Sequence, residues 1–269
     1  MKHAVITGSS RGIGFGLAKE FLNQGFTVSI SGSNQLSTFK AAEKLKKEYS
    51  KNLFVAVPCD VRSKDDIRNL WKLSEDKFGR VDIWVNNAGI GQSNDYFWNL
   101  EDSETDDIID INLKGLIKCS AYVYRKMHEQ NFGKIYNMEG LGSQGRMMPK
   151  VEIYGTTKRA VNYFTKSFAK DIKGGQIIAA AISPGMVVTD LLMNPIDSDS
   201  PDRKRLEKIV NILGDRVETV SPFLVKKMIK NNKNGKAIRW LTGRKIAFRF
   251  LKSLFIKRNI LEKDESITH

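Results

Sequence analysis

The chain has 269 residues, 41% of them hydrophobic, and 44 lysines and arginines against 30 acidic residues give a formal net charge of +14. This length suits one large α/β domain with a sizeable core, and no apolar run is long enough to span a bilayer as a helix. Two cysteines, Cys59 and Cys119, make neither a disulfide framework nor a metal set, and three scattered histidines (His3, His128, His269) make no metal site, so a reducing cytosol is the expected compartment. The opening residues run directly into a strand pattern and a turn, without the cleavage site of a signal peptide.

Taken in order, Ala4 to Thr7 reads as a buried strand and Gly8 to Gly14 as a glycine-rich turn, followed by a helix from Phe15 to Asn23. Strands are expected at Phe26–Ser31, Leu53–Val57, Val81–Val85, Lys134–Met138 and Gln176–Ile182. Helices are expected between them at Leu36–Tyr49, Asp65–Phe78, Thr105–Gln130 and Glu152–Lys173. A polar loop over Pro195–Asp202 leads to helices at Arg203–Leu213 and Ser221–Lys230, a strand at Lys236–Leu241 and a basic helix at Lys245–Arg258. Strict alternation of strand and helix predicts a doubly wound parallel sheet of about seven strands, covered by helices on both faces. No repeat or linker divides it, so residues 1–269 are expected to form one domain. Within it, 1–190 would be a cofactor and catalytic core, 191–242 a substrate-loop region with the last strand, and 243–269 a basic helix and tail.

The turn Gly8-x-x-x-Gly12-x-Gly14 follows a strand and opens a helix. Glycines let the backbone approach a pyrophosphate, and a helix N-terminus offers unpaired N–H groups at its positive end. An acidic residue ending the second strand would bind a ribose 2′-hydroxyl and repel a 2′-phosphate. Here the sequence is Ser31-Gly32-Ser33-Asn34, with no carboxylate, and Arg11 stands in the turn, where a guanidinium pairs well with phosphate. These features favour NADP(H) over NAD(H). Further along, Tyr154 and Lys158 are four residues apart and share a helix face. A lysine ammonium beside a phenol favours the phenolate and would make Tyr154 a usable proton donor or acceptor. That spacing alone is common on exposed helix faces, and its meaning depends on what surrounds it.

Thr7-Gly8-Ser9-Ser10-Arg11-Gly12-Ile13-Gly14, Asp60-Val61, Asn86-Asn87-Ala88-Gly89, Asn112, Tyr154-x-x-x-Lys158 and Pro184-Gly185 occur in this order. The series resembles the short-chain dehydrogenase/reductase family of single-domain Rossmann enzymes over about residues 1 to 190. The resemblance implies an NADP-dependent oxidoreductase that interconverts a carbonyl and an alcohol. It implies that Tyr154 exchanges a proton with the substrate oxygen, that Lys158 lowers the tyrosine pKa and holds the nicotinamide ribose, and that Asn112 supports a relay water. The cofactor set it implies is Gly8, Ser10, Arg11, Gly12, Ile13, Gly14, Ser33, Asp60, Val61, Asn87, Ala88, Gly89, Tyr154, Lys158, Pro184, Gly185, Val187 and Thr189. Homo-oligomers are usual in the family.

One part departs from the family pattern. The usual catalytic serine, thirteen residues before the tyrosine, falls on Leu141, or on Gly140 with one inserted residue. The nearest hydroxyl is Ser143, expected to hydrogen-bond the substrate oxygen if the glycine-rich loop is rearranged, with a backbone N–H as the alternative donor. Asn137-Met138-Glu139-Gly140-Leu141-Gly142-Ser143 and the run from Ser183 to Leu192 resemble the chlorophyll(ide) b reductase branch, which reduces a formyl group with NADPH. Glu139 reads as a pocket carboxylate or as a plain loop residue. Met147, Met148, Leu191, Leu192 and Met193 suit either a large apolar substrate or ordinary packing.

From Arg244 to Arg258 there are six basic residues and no acidic one, interleaved with Ile246, Phe248, Leu251, Leu254 and Phe255. Such a helix can lie on an anionic membrane surface, cover a substrate pocket, pack on another subunit, or be an ordinary helix with a solvated basic face. Nucleic acid is not an expected partner, because no reading motif accompanies the charge.

Overall fold

The short apolar runs become the seven strands of one parallel sheet: β1 (His3–Ile6), β2 (Thr27–Ile30), β3 (Phe54–Ala56), β4 (Ile83–Asn86), β5 (Gly133–Met138), β6 (Ile177–Ser183) and β7 (Ala237–Arg239). The computed structural model describes residues 1–193 and 200–261. The sheet order is β3-β2-β1-β4-β5-β6-β7, and every pairing is parallel. Side chains alternate across each strand. Ala4, Ile6, Val28, Ile30, Ile83, Val85, Tyr136 and Ile182 face one layer, built on α1 (Gly12–Asn23), α2 (Gln35–Lys46) and α9 (Val217–Lys230). Val5, Trp84, Ile135 and Ala179 face the other, built on α3 (Lys64–Phe78), α5 (Leu116–Glu129) and α6 (Glu152–Asp171). A sheet buried on both faces explains why its strands read as continuous apolar runs rather than as alternating ones.

Local chemistry starts the helices. Asn34 caps α2 by accepting from Ser37 N at 2.9 Å, and Ser63 caps α3 by accepting from Asp66 N at 3.2 Å. Gly79, at φ +77°, ends α3. Ser200 with Pro201 starts α8 (Pro201–Leu213), and Thr242 caps α10 (Gly243–Ser253). α7 (Asp190–Met193) is a single turn.

Two elements differ from the expectation. The helix expected over Thr105–Gln130 is α4 (Asp102–Ile109), a π-helical turn Asp110–Gly115, and then α5. The turn buries Asn112, whose side chain bonds the main chain of Ile90, and brings Gly115 against Val61, leaving no room there for a β-carbon. The helix expected over Lys245–Arg258 stops at Ser253, because Arg258 turns back to donate to the carbonyls of Ile212 (2.9 Å) and Gly214 (3.0 Å). Of the polar loop expected at 195–202, residues 195–199 lie outside the described residues, and Pro201 and Asp202 already belong to α8. The tail from 262 to 269 also lies outside them.

His3 is wholly buried on β1, its ring nitrogens 2.9 Å from Thr27 Oγ1 and 3.0 Å from Ser29 Oγ, and it stacks on Phe78. Burial pushes its pKa down to about 3, against a small opposing effect at Thr27. The unfolded chain therefore takes up a proton near the ordinary value of about 6.5, before the folded chain does. The contribution is complete above that pH and is lost as pH falls towards 3. Urea denaturation across this range is expected to show a loss on the order of 4 kcal/mol from this group, and His3→Asn is expected to flatten the slope; an unchanged slope would contradict the burial argument.

Candidate active site

The C-terminal ends of the strands open into one cavity of about 560 Å³. In open α/β sheets ligands bind at this edge, beside the point where the strand order reverses. Here that point lies between β1 and β4. Thr7 Oγ1 receives the N–H groups of Asn87 (3.0 Å) and Ala88 (3.1 Å), and Asn87 Nδ2 donates to the carbonyls of Thr7 and Gly8, both at 2.9 Å. Gly8 has φ +61°, and a β-carbon there would lie 2.7 Å from Ala88 Cα. A β-carbon at Gly14 would overlap Asn87 Nδ2. The first turn of α1 carries neither a side-chain cap nor an acidic residue, so its amides face the cavity unpaired by side chains. This uncapped, glycine-lined helix start fits a pyrophosphate.

All the residues expected around a dinucleotide line this cavity: Gly8, Ser10, Arg11, Gly12, Ile13 and Gly14 from the turn, Ser33 after β2, Asp60 and Val61 after β3, and Asn87, Ala88 and Gly89 after β4. Tyr154 and Lys158 from α6 and Pro184, Gly185, Val187 and Thr189 after β6 complete the lining. Beyond β2 no carboxylate is present; Ser10 lies against Gly32. Arg11 Nη1 is 3.3 Å from Asp190 Oδ2, with both side chains mostly exposed. Pairs of that kind contribute about 0–1 kcal/mol and leave the guanidinium free to change partner. Asp60 is held differently: Arg62 grips its carboxylate at 2.7–3.1 Å and keeps its pKa below the usual range.

Tyr154 is half-buried and Lys158 is almost fully buried. Lys158 Nζ lies 5.6 Å from the centre of the Tyr154 ring, 3.4 Å from the Met138 carbonyl, and close to Gly89. Burial pushes the Tyr154 phenol up to about 12 and the Lys158 ammonium down to about 8. The tyrosine shift runs opposite to the lowering expected from a lysine neighbour, because removal of water from the phenol disfavours the phenolate.

No hydrogen bond joins Ser143 to the Tyr154 phenol. The serine side chain is buried outside the cavity lining, and its Oγ accepts the Gly140 N–H at 3.0 Å, which ties the glycine-rich loop to itself. The position beside the phenol belongs to Gly140, where a β-carbon would overlap Tyr154 Oη. Asn112 also sits behind the wall. Its Oδ1 accepts from Ile90 N (2.8 Å), and its Nδ2 donates to Ile90 O (2.9 Å) and approaches Thr157 Oγ1 (3.4 Å). Glu139 lines the cavity, but its carboxylate is taken by Asn162 and, at 3.3 Å, by Arg239. Of the apolar residues, Met148, Leu191 and Leu192 line the cavity, whereas Met193 packs with Leu206 and Val210.

One positioning residue carries no sequence motif. Gln92 is 4% exposed, and its Oε1 accepts from Ile153 N (2.9 Å) and Tyr154 N (3.3 Å). It caps α6, which has no side-chain cap from its own Val151. The only trace in sequence is the missing capping residue before Glu152, which does not say where a replacement comes from.

A buried sheet with a crossover at β1 and β4, a glycine-lined helix start and a Tyr/Lys pair at one edge define a Rossmann-type oxidoreductase architecture. The sequence profile described as short chain dehydrogenase matches residues 2–199. The chain is 36% identical over 255 residues to chlorophyll(ide) b reductase NOL, chloroplastic, of Oryza sativa subsp. japonica, covering 90% of this chain and 72% of that protein. It is 33% identical over 261 residues to probable chlorophyll(ide) b reductase NYC1, chloroplastic, of the same plant, covering 91% of this chain but only about half, 51%, of that protein. Among solved structures, the 3-ketoacyl-(acyl-carrier-protein) reductase of Brucella melitensis complexed with NADH superposes with a TM-score of 0.78 at 25% identity, covering 91% of this chain and 98% of that one. The chain belongs to the short-chain dehydrogenase family of oxidoreductases. Among the described residues no helix is long and apolar enough to cross a membrane, and no group of acidic, histidine and cysteine residues is arranged to hold a metal ion.

Replacing Gln92 by alanine removes the cap of α6 and leaves Ile153 and Tyr154 N–H groups unpaired. The expected cost is about 1–2 kcal/mol in chemical denaturation, and a change within error of zero would show that the cap carries no weight.

Proposed function

We propose that the protein is an NADP(H)-dependent reductase that converts the carbonyl of a large apolar substrate into an alcohol, in the manner of the chlorophyll(ide) b reductases it resembles. The observation that carries this reading is the convergence of the uncapped α1 start, Tyr154 and Lys158 on one cavity. The residues present fit a dinucleotide. The α1 amides and Gly12 to Gly14 would hold its pyrophosphate, Asp60 and Val61 would flank the adenine, and Asn87 to Gly89 with Pro184, Gly185, Val187 and Thr189 would border the nicotinamide end. Arg11, Ser10 and Ser33 would meet a 2′-phosphate, with no carboxylate after β2 to repel it. When bound, the cofactor supplies hydride from its nicotinamide ring.

The chain's own residues then have separate tasks. Tyr154 Oη donates its proton to the carbonyl oxygen as negative charge builds there. Lys158, as an ammonium, stabilises the phenolate left behind. Asn112 and Gln92 act as positioning residues, one through Ile90 and Thr157 and the other through the start of α6. Ser143 shapes the Gly140 loop rather than touching substrate. Met148, Leu191, Leu192 and Ile246 give the cavity apolar walls, and its volume lies within the range of small-molecule sites. The reducing cytosol and the homo-oligomer form part of this reading; both cysteines are free and buried, which suits a reducing compartment.

With the phenol near 12 its proton is present across the working range, whereas Lys158 loses charge as pH rises through about 8. NADPH-driven reduction is therefore expected to fall above that pH. In an assay of NADPH oxidation over a panel of aldehydes and ketones, Tyr154→Phe should abolish turnover while NADPH binding, read by fluorescence, survives; full activity in this variant would sink the assignment. NADPH should be preferred to NADH, and Arg11→Ala should erase that preference; an unaltered ratio would remove Arg11 from the 2′-phosphate site.

The absence of a serine side chain beside Tyr154 favours a second reading, a cofactor-binding protein without turnover. It predicts NADPH binding with no consumption by any carbonyl tested. Under the first reading, Gly140→Ser does not improve the enzyme. The added side chain displaces the phenol, and kcat is expected to fall by about 100-fold, the scale of a misplacement near 1 Å; a rise in kcat would show that the missing serine limits the reaction.

A further inference from the structure

Helix α10 presents its apolar side outward. The arc facing the body carries Lys245, Ile246, Arg249 and Ser253, all part-buried. Arg249 is bound to buried Asp215 at 2.7 Å, and Lys245 Nζ stands 3.0 Å above the centre of the Trp240 ring. Trp240 Nε1 and Arg258 also donate to Asp215, so this one carboxylate anchors both ends of the segment. On the opposite arc Phe248 is 63% and Leu251 61% exposed, and in the turn just past the helix end Leu254 is 76% and Phe255 82% exposed. No residue of α10 is fully buried. An ordinary surface helix is arranged the other way round, with its apolar stripe towards the core.

Beside this face lies a cleft of about 360 Å³ between α8 and α10. Lys208, Arg249, Lys252, Lys257 and Arg258 line it, together with the apolar carbons of Ile212 and Ile256. Asp215 occupies Arg249 and Arg258. Among the described residues, no carboxylate pairs with Lys208, Lys252 or Lys257. A concave basic site at the rim of an exposed apolar face suits an anionic headgroup whose acyl chains continue beneath that face.

We propose that α10 and the α8–α10 cleft form a docking site for an anionic lipid surface. Phe248, Leu251, Leu254 and Phe255 enter the boundary between headgroups and acyl chains, and Lys208, Lys252 and Lys257 meet headgroup phosphates. Charge selects this occupant over a second copy of the chain. Residues 202–269 hold 18 lysines and arginines against seven acidic residues, so two such faces repel each other while an anionic bilayer attracts both. Ile246, on the inner arc of the same helix, lines the main cavity. On the reading of that cavity given above, docking brings it close to substrates dissolved in the bilayer.

The test is co-sedimentation of the full chain with vesicles of phosphatidylcholine alone and of phosphatidylcholine with phosphatidylglycerol, a readout independent of turnover. The wild type is expected to partition at least about tenfold more strongly onto the anionic vesicles. Phe248→Ser/Leu254→Ser/Phe255→Ser and Lys208→Gln/Lys252→Gln/Lys257→Gln should each lose about tenfold or more. Thermal unfolding of both variants and their reduction of a water-soluble carbonyl should stay unchanged, because these side chains are exposed and lie outside the catalytic cavity. Three results would each overturn the proposal: no difference between vesicle types, variants that partition like the wild type, or a wild-type dimer that the apolar variant dissociates. Binding of inorganic phosphate without binding of vesicles would likewise reassign the cleft to a free anion.

Discussion

The arrangement of the site depends on how closely β1 and β4 approach at their C-terminal ends. The chain builds β1, β2 and β3 outward in one direction, then returns to lay β4 on the other side of β1. This reversal leaves a crevice that nothing in the sheet can fill. Thr7 and Asn87 lock its two lips together through four hydrogen bonds, and Gly8 and Gly14 keep side chains out of the seam. The start of α1 is aimed into the crevice by the same contacts. A side chain at either glycine would push the helix away from β4 and spoil both the packing and the helix end proposed to hold the pyrophosphate.

The second half of the sheet brings Tyr154 and Lys158, the proposed catalytic pair, to that crevice. Trp84 Nε1 donates to Asn86 Oδ1, Asn86 to Asn137 and Ser120, and Asn137 to Thr165, making a buried polar ladder across β4, β5, α5 and α6. Buried polar groups are costly unless satisfied, and a satisfied set fixes one packing arrangement. This ladder fixes the position of α6 against the sheet, while Gln92 and Asn112 fix the loops around it. The Tyr/Lys pair is thus held by elements that are themselves held. Burial of the pair has an electrostatic consequence: it keeps the phenol protonated and weakens the hold of Lys158 on its proton. The first shift keeps on the tyrosine the proton that the proposed reductive direction needs, whereas the second confines that direction to pH values at which Lys158 is still charged.

The parts legible in sequence share a local cause. Runs of β-branched and apolar residues gave the buried strands, glycine spacing gave the turn after β1, and the order of short motifs gave the family. The parts that were not legible depend on contacts between distant segments. Ser143 is close to Tyr154 in sequence, yet its hydroxyl accepts the Gly140 N–H instead of meeting the phenol in a hydrogen bond, and no pattern of residue types encodes that choice. Asn112 was expected on a regular helix, whereas a π-helical turn lets its amide reach Ile90. Gln92 gains its role only because the loop after β4 lies against the start of α6, a contact between distant segments. The stripe at the C-terminal helix is legible from its spacing, but only the anchoring of Arg249 and Arg258 on Asp215 shows which side of it faces outward.

Reaction of a nicotinamide cofactor with a carbonyl beside Tyr154, as proposed, leaves its mark on the transferred atom. NADPH deuterated at nicotinamide C4 should give, with the wild-type chain and a carbonyl that it turns over, an alcohol one deuterium heavier by mass spectrometry, while Tyr154→Phe gives none. No deuterated alcohol from the wild type over the whole carbonyl panel, or equal labelling by the two proteins, would contradict the account.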